Sequence, residues 1–129
     1  MAVQTDRDGN EQTFTVSRDG KLLDIPLVVL VDGGSASASE ILAGALQFHN
    51  RAQIIGERTY GKGTAQQVVD YPDGSSLHIT TLKWVLPDGQ WLNPENVIEP
   101  DAEVELTDED FRNGLDPQME SARQYLSSQ

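Results

Sequence analysis

The sequence has 129 residues, no cysteine and a formal net charge of -12. This length is enough for one domain with a sizeable core. An acidic chain lacks the basic surface that nucleic acids and anionic membranes require, so we expect neither as a partner. Without cysteine, the chain has no disulfide framework, no thiolate metal site and no cysteine nucleophile.

The first 24 residues are polar and predict an N-terminal hairpin segment. Turn signals occur at Asp8-Gly9-Asn10 and at Asp19-Gly20, and residues 13–16 between them predict a strand. Met1-Ala2 is followed by polar residues rather than by the apolar stretch of a signal peptide, and we expect a longer parent protein. No apolar run approaches the roughly 20 residues that cross a bilayer.

A strand, a serine-rich turn and a helix are predicted next. Residues 25–31 are continuously apolar, as in a central strand covered on both faces. The turn is Gly33-Gly34-Ser35-Ala36-Ser37-Ala38-Ser39-Glu40, and helical spacing of apolar residues continues from 40 to 47. Residues 53–56 then predict a short strand. The resulting strand–helix–strand unit favours a parallel pair.

The second half of the chain alternates short strands with turns and ends in a helix. The predicted elements are a loop at 59–64, strands at 66–71 and 76–82, turns at 72–74 and 87–89, an acidic stretch at 101–110 and a helix at 117–126. This order of elements predicts an α/β fold.

A hydroxyl at a strand-to-helix turn is where α/β hydrolases place a nucleophile, which needs a base. His49 lies at the far end of the helix that begins at Ser37, about three turns or ~16–18 Å away. His78 lies within a strand, and no arrangement in the sequence marks it as a base. The candidate bases are therefore lysines.

A lysine is a base only when it is neutral, and its ordinary pKa is about 10.4. Burial away from carboxylates favours the neutral form, whereas the acidic chain as a whole opposes it. Lys62 is the favoured candidate because uncharged Gly61 and Gly63 flank it, and it has to be buried to act. Lys83, in an ordinary strand, is its competitor. At the helix start, the N–H of Ala38 would serve Ser37 as an oxyanion donor.

The same residues also have a purely structural interpretation, which spacing alone favours. Ser37 is then an N-cap contributing about 1 kcal/mol, with Glu40 completing a capping box. Ser35 and Ser39 are then turn residues, and Lys62 is a solvated loop residue. The turn matches neither the G-x-S-x-G pattern nor S-x-x-K.

Two segments resemble the C-terminal processing peptidases, also called tail-specific proteases. Residues 26–47 are similar to that family's nucleophile segment and residues 56–66 to its base segment, with weaker similarity at 77–83 and 97–101. The resemblance places the serine nucleophile at Ser37, the lysine base at Lys62 and the glutamine that orients the lysine at Gln66.

The resemblance implies a ClpP/crotonase-like α/β core with a mixed β-sheet and flanking helices. It places a partial peptidase core at residues 25–106, between the polar segment 1–24 and an acidic C-terminal segment with a helix at 107–129. It also implies a serine endopeptidase that cleaves proteins near their C-termini outside the cytoplasm, in the periplasm or cell envelope. Neither a cofactor nor a metal is expected.

Two features of that family are missing from the sequence: a PDZ domain and an upstream Asn-Pro-Gly-Gly-like turn that gives the second oxyanion donor. Here Asn93-Pro94 leads to Glu95. We therefore expect half an oxyanion hole and an exposed sheet edge through which two copies could pair as a homodimer. An alternative hypothesis is a non-catalytic chain that folds or self-associates without cleaving. The intact set of Ser37, Lys62 and Gln66 argues against a degenerate scaffold.

Overall fold

The computed structural model describes residues 2–17 and 20–129. The strands are β1 (Ala2–Asp6), β2 (Glu11–Phe14), β3 (Val28–Val31), β4 (Gln53–Gly56), β5 (Thr64–Asp70), β6 (Ser76–Val85) and β7 (Ala102–Glu103). The helices are α1 (Ala38–Phe48), α2 (Asp108–Asn113) and α3 (Pro117–Ser127). The predicted α/β class is confirmed, and its parallel and antiparallel strands lie in separate sheets.

The parallel sheet has the strand order β3-β4-β7, and α1 connects β3 to β4. The predicted strand–helix–strand unit is therefore confirmed. The prediction of a central strand at 25–31 was wrong in two respects. The strand begins at Val28, after the exposed Ile25 and Pro26, and β3 lies at an edge of this sheet. The central strand is β4, because the two-residue strand β7 pairs with its other side.

The antiparallel sheet has the order β2-β1-β6-β5. The predicted hairpin at the N-terminus is present, with Gly9 at its turn and β1 as the partner of β2. The second turn signal, Asp19-Gly20, falls partly outside the described residues, since these omit Asp19. Because β1 also pairs with β6, the hairpin shares a sheet with residues 76–85. Pairing of two copies through a sheet edge stays a prediction.

A small apolar core lies between α1 and the parallel sheet. Its buried members are Val31, Ala43, Ala52, Ile54, Leu86, Leu92 and Ile98. Helix α1 approaches this core closely at Gly44, where a Cβ atom would lie 2.8 Å from Ile98 Cδ1 and 2.9 Å from Leu86 Cδ2. This packing holds the N-terminus of α1, and hence the serine-rich turn, against the carboxyl ends of β3 and β4.

The C-terminal segment forms two helices. Helix α3 confirms the predicted helix at 117–126, and Asp116 caps it by accepting the Met119 N–H at 2.8 Å. It packs on β3 and β4. Its buried residues are Gln118 and Ala122, and the Gln118 amide donates to the Val104 carbonyl at 3.0 Å. Helix α2 was not predicted and lies at the end of the acidic stretch. No helix among residues 2–17 and 20–129 is long and apolar enough to span a membrane.

Candidate active site

The first part of the site is the turn between β3 and α1. Asp32 Oδ1 accepts hydrogen bonds from the Gly34 N–H and the Ser35 hydroxyl, both at 3.0 Å. The Ser35 hydroxyl in turn accepts the Asp32 N–H at 3.1 Å. Ser35 is therefore the turn residue that the structural interpretation expected, and its hydroxyl is occupied within the turn.

Ser37 has an unusual backbone conformation, with φ +58° and ψ -115°. Residues other than glycine rarely adopt such angles. In the described part of the chain, Asn50 is the only other non-glycine residue with a positive φ, and asparagine tolerates it more readily. Strain of this kind costs about 1–3 kcal/mol and is concentrated at functional sites, including the strained nucleophile turn of α/β hydrolases.

The side chain of Glu40 is a carboxylate with no solvent exposure. Its Oε1 accepts hydrogen bonds from the Thr59 hydroxyl and the Gly61 N–H, both at 2.6 Å. Its Oε2 accepts the N–H groups of Ser37 at 2.7 Å and Lys62 at 2.9 Å. These four donors, together with a position in the first turn of α1, compensate the cost of burying the charge.

Glu40 thereby joins two segments that are far apart in the sequence. Glu40 Oε2 accepts both backbone hydrogen bonds, at 2.7 Å and 2.9 Å. The backbone nitrogens of Ser37 and Lys62 are therefore at most about 5.6 Å apart. A backbone bond from the Tyr60 N–H to the Ser35 carbonyl at 3.0 Å joins the same segments. The structure therefore brings together the backbones of the two residues that the sequence singled out.

The side chain of Lys62 is not buried with its backbone. Gly61 and Gly63 on either side of it are buried, but Lys62 itself is exposed, and its ammonium forms no ion pair with any described residue. The burial that a lysine base requires is thus not met here. The physical reason is that hydrogen bonds hold the loop backbone inward, which leaves the side chain facing solvent.

The two remaining predicted site residues are Ala38 in α1 and Gln66 in β5. Ala38 is the first residue of α1, so its N–H has no acceptor one turn earlier within the helix. Gln66 lies in β5 at an irregularity in the pairing with β6, a feature often found beside active sites. Its amide is exposed and lies 3.5 Å from the Thr80 hydroxyl, and it makes no hydrogen bond to Lys62.

Neither histidine lies near the turn. His49 follows the last residue of α1, where its ring contacts Phe48 edge-on at 5.1 Å between centroids. His78 is exposed in β6, with Nε2 3.2 Å from the Ser76 hydroxyl. The competing lysine, Lys83, places its ammonium 4.0 Å from the centre of the Trp91 ring.

Sequence analysis missed the larger role of Glu40 and the role of Thr59. A capping box explains only the bond from Glu40 to the Ser37 N–H, whereas three further donors come from residues 59–62. The Thr59 hydroxyl extends this network by accepting the Ile98 N–H at 3.0 Å. An acidic residue at the third position of a helix is usually solvent-exposed, so the sequence pattern did not distinguish Glu40 from an ordinary capping residue.

We expect Glu40→Gln to lower the free energy of unfolding by at least about 2 kcal/mol. Each carboxylate oxygen accepts two donors, so the amide nitrogen would face donors in either orientation. Urea denaturation measures the loss. Glu57→Gln is the matched control, since Glu57 accepts a single surface bond from the Leu106 N–H at 2.9 Å. Equal losses in the two variants would contradict the prediction.

We expect Ser37→Gly to raise the free energy of unfolding by about 1 kcal/mol, because glycine adopts a positive φ without strain. Ser39→Gly, in the regular first turn of α1, should instead lower it by about 0.5–1 kcal/mol. Thermal and urea denaturation of both variants provide the test. A fall in stability for Ser37→Gly would show that the turn stores no strain.

Comparison with known proteins gives the family. The model of Peptidase family S41 matches residues 1–104. The chain is 39% identical over 102 residues to the carboxy-terminal processing protease CtpA of Bacillus subtilis, which covers 79% of this chain and 22% of that protein. It is 40% identical over 105 residues to the carboxyl-terminal-processing protease of Synechocystis, and the match covers 81% of this chain and 24% of that protein. The chain thus spans about a quarter of the length of these relatives.

Solved structures agree with this match. The photosystem II D1 C-terminal processing protease superposes with a TM-score of 0.68 at 42% identity, over 81% of this chain and 27% of that one. A lipoprotein from Streptococcus agalactiae has a TM-score of 0.72 at 18% identity, over 98% and 44%, and shows the fold alone. The resemblance to C-terminal processing peptidases is confirmed, and the chain belongs to peptidase family S41.

Proposed function

We propose that this chain carries the nucleophile and the base of a serine endopeptidase that cleaves proteins near their C-termini. The observation that supports this most is the shared hydrogen-bond acceptor, Glu40 Oε2, which holds the backbones of Ser37 and Lys62 together. The strained conformation of Ser37 adds to it, since a merely structural N-cap has no need of a positive φ. The names of the relatives supply the substrate class.

In the proposed first half-reaction, the Ser37 hydroxyl attacks the carbonyl carbon of the scissile peptide bond. The neutral amine of Lys62 takes the hydroxyl proton as the new bond forms. The negative charge that develops on the carbonyl oxygen is stabilised by the N–H of Ala38 at the N-terminus of α1. The tetrahedral intermediate collapses when the C–N bond breaks, and Lys62 returns its proton to the leaving amine.

The second half-reaction hydrolyses the acyl-enzyme at Ser37. Lys62 takes a proton from water, the resulting hydroxide attacks the ester carbon, and the proton returns to the Ser37 oxygen as it leaves. Gln66 would orient Lys62 without adding a charge that holds the proton on the amine. This role requires its amide to exchange the Thr80 contact for one to Lys62.

The exposure of Lys62 sets a condition on this mechanism. A lysine acts as a base only where burial favours its neutral form, and the Lys62 side chain lacks that burial here. We therefore propose that the site becomes competent when bound substrate, or another part of the full-length protein, covers Lys62. We also propose that the protein acts outside the cytoplasm, as the resemblance implies.

We expect Ser37→Ala and Lys62→Ala, made separately in the full-length protein, each to lower cleavage of an unstructured C-terminal tail by at least about 1,000-fold. Ser39→Ala and Lys21→Ala are the matched controls, since Ser39 lies two residues after Ser37 and Lys21 is an exposed residue outside the site. Cleavage is followed by electrophoresis or mass spectrometry. Retained activity in either site variant would refute the assignment.

A non-catalytic role for the 129-residue chain is the second candidate, favoured by the exposed Lys62 and the Thr80 contact of Gln66. A fluorophosphonate probe distinguishes the peptidase from the non-catalytic candidate, because it reacts with an activated serine. Labelling at Ser37 supports a formed site within these residues. A chain that is folded by circular dichroism but unlabelled supports the second candidate.

A further inference from the structure

On the C-terminal side of Lys62, just before β5 begins at Thr64, the loop is held through the carbonyl group of Gly63. This oxygen accepts two hydrogen bonds, from the backbone N–H of Trp84 at 2.9 Å and from the indole Nε1–H of Trp91 at 3.1 Å. A carbonyl oxygen has two lone pairs, so its bonding capacity is filled. Of these two donors, only the indole belongs to a side chain and can be lost by substitution.

The chain around Trp91 lies directly against the loop. A Cβ atom on Gly63 would fall 1.8 Å from the Leu92 carbonyl oxygen, and one on Gly61 would fall 2.7 Å from the Asn93 backbone. Glycine is therefore required on both sides of Lys62 for this approach. Residues 91–93 therefore pack directly against the backbone on both sides of Lys62.

Trp91 is itself firmly held. Its carbonyl oxygen accepts the side-chain amides of Asn93 at 2.8 Å and Asn96 at 2.9 Å. The ammonium of Lys83 lies 4.0 Å from the ring centre, a cation–π contact that fixes the plane of the indole. Trp91 is nevertheless 39% exposed as a residue, so filling the core does not explain the presence of a tryptophan here.

We propose that Trp91 is a positioning residue for Lys62, acting through the Gly63 carbonyl. This inference depends on the proposed role of Lys62 as the base. Glu40 holds the backbone on the N-terminal side of Lys62 by the N–H groups of Gly61 and Lys62, and Trp91 holds it on the other side. With both sides anchored, the motion left to the base is the rotation of its own side chain. Lys83 supports this arrangement by holding the indole in place.

The test compares Trp91→Phe with Trp84→Phe in the full-length protein. Phenylalanine at 91 keeps an aromatic ring for Lys83 but removes the donor to Gly63. Trp84→Phe keeps the backbone N–H that donates to Gly63. The indole that it removes packs against Phe14, at 5.7 Å between ring centroids, and makes no hydrogen bond to Gly63. Trp91→Phe should lower kcat about tenfold with KM changed less than about twofold, because a displaced base impairs chemistry rather than binding.

Three further measurements make the outcome decisive. The rate at which a fluorophosphonate labels Ser37 should fall with kcat in Trp91→Phe and stay unchanged in Trp84→Phe. Trp91→Leu should lose as much kcat as Trp91→Phe while melting at a lower temperature, since it also loses the ring. Unchanged kcat and labelling in Trp91→Phe, or a rise in KM alone, would overturn the inference. Lys62→Ala is measured in the same assays. Retained cleavage in Lys62→Ala would show that the proposed function itself fails, whereas lost cleavage there with an unaffected Trp91→Phe would overturn only the role of Trp91.

Discussion

The buried carboxylate of Glu40 is the interaction on which the rest of the site depends. A charge removed from water is costly unless donors surround it, and here four donors from two segments of the chain converge on two oxygens. Its position near the N-terminus of α1 adds the favourable field of the helix. Satisfying this one group therefore requires the turn at Ser37 and the loop at Lys62 to be adjacent, whatever else the fold does.

This constraint fixes backbones more tightly than side chains. Ser37 is held in a conformation that serine rarely adopts, and the cost is met by the bond from its N–H to Glu40 and by the packing of α1 on the core. Lys62 is anchored through its own N–H and through Gly63, but its amine remains in solvent. The structure thus anchors the backbones of both segments, while the side chain of Lys62 stays exposed.

Sequence patterns predicted the elements that have a strong periodicity or a clear turn. Helix α1, strand β4, the β5–β6 hairpin and helix α3 follow apolar spacing, capping residues and the Pro72-Asp73-Gly74 turn, all of which are local. The patterns missed β7 because two residues carry no periodicity. The continuous apolar run at 25–31 suggested a central strand, although β3 lies at the edge of its sheet. They missed α2 because acidic residues dominate its sequence, although Thr107 and Asp110 form a capping box.

The sequence alone determined which residue types stand at the turn and the loop. The similarity of these segments to a peptidase family then singled out Ser37, Lys62 and Gln66 as candidate site residues. It also determined the local signals that start and end α1, because these depend on neighbours within a few residues. Only the tertiary structure decided that Glu40 is buried, that Lys62 is exposed and that Trp91 reaches Gly63, since the partners are 19 to 28 residues apart. Contacts over that separation depend on how the sheets and helices pack, which no local pattern encodes.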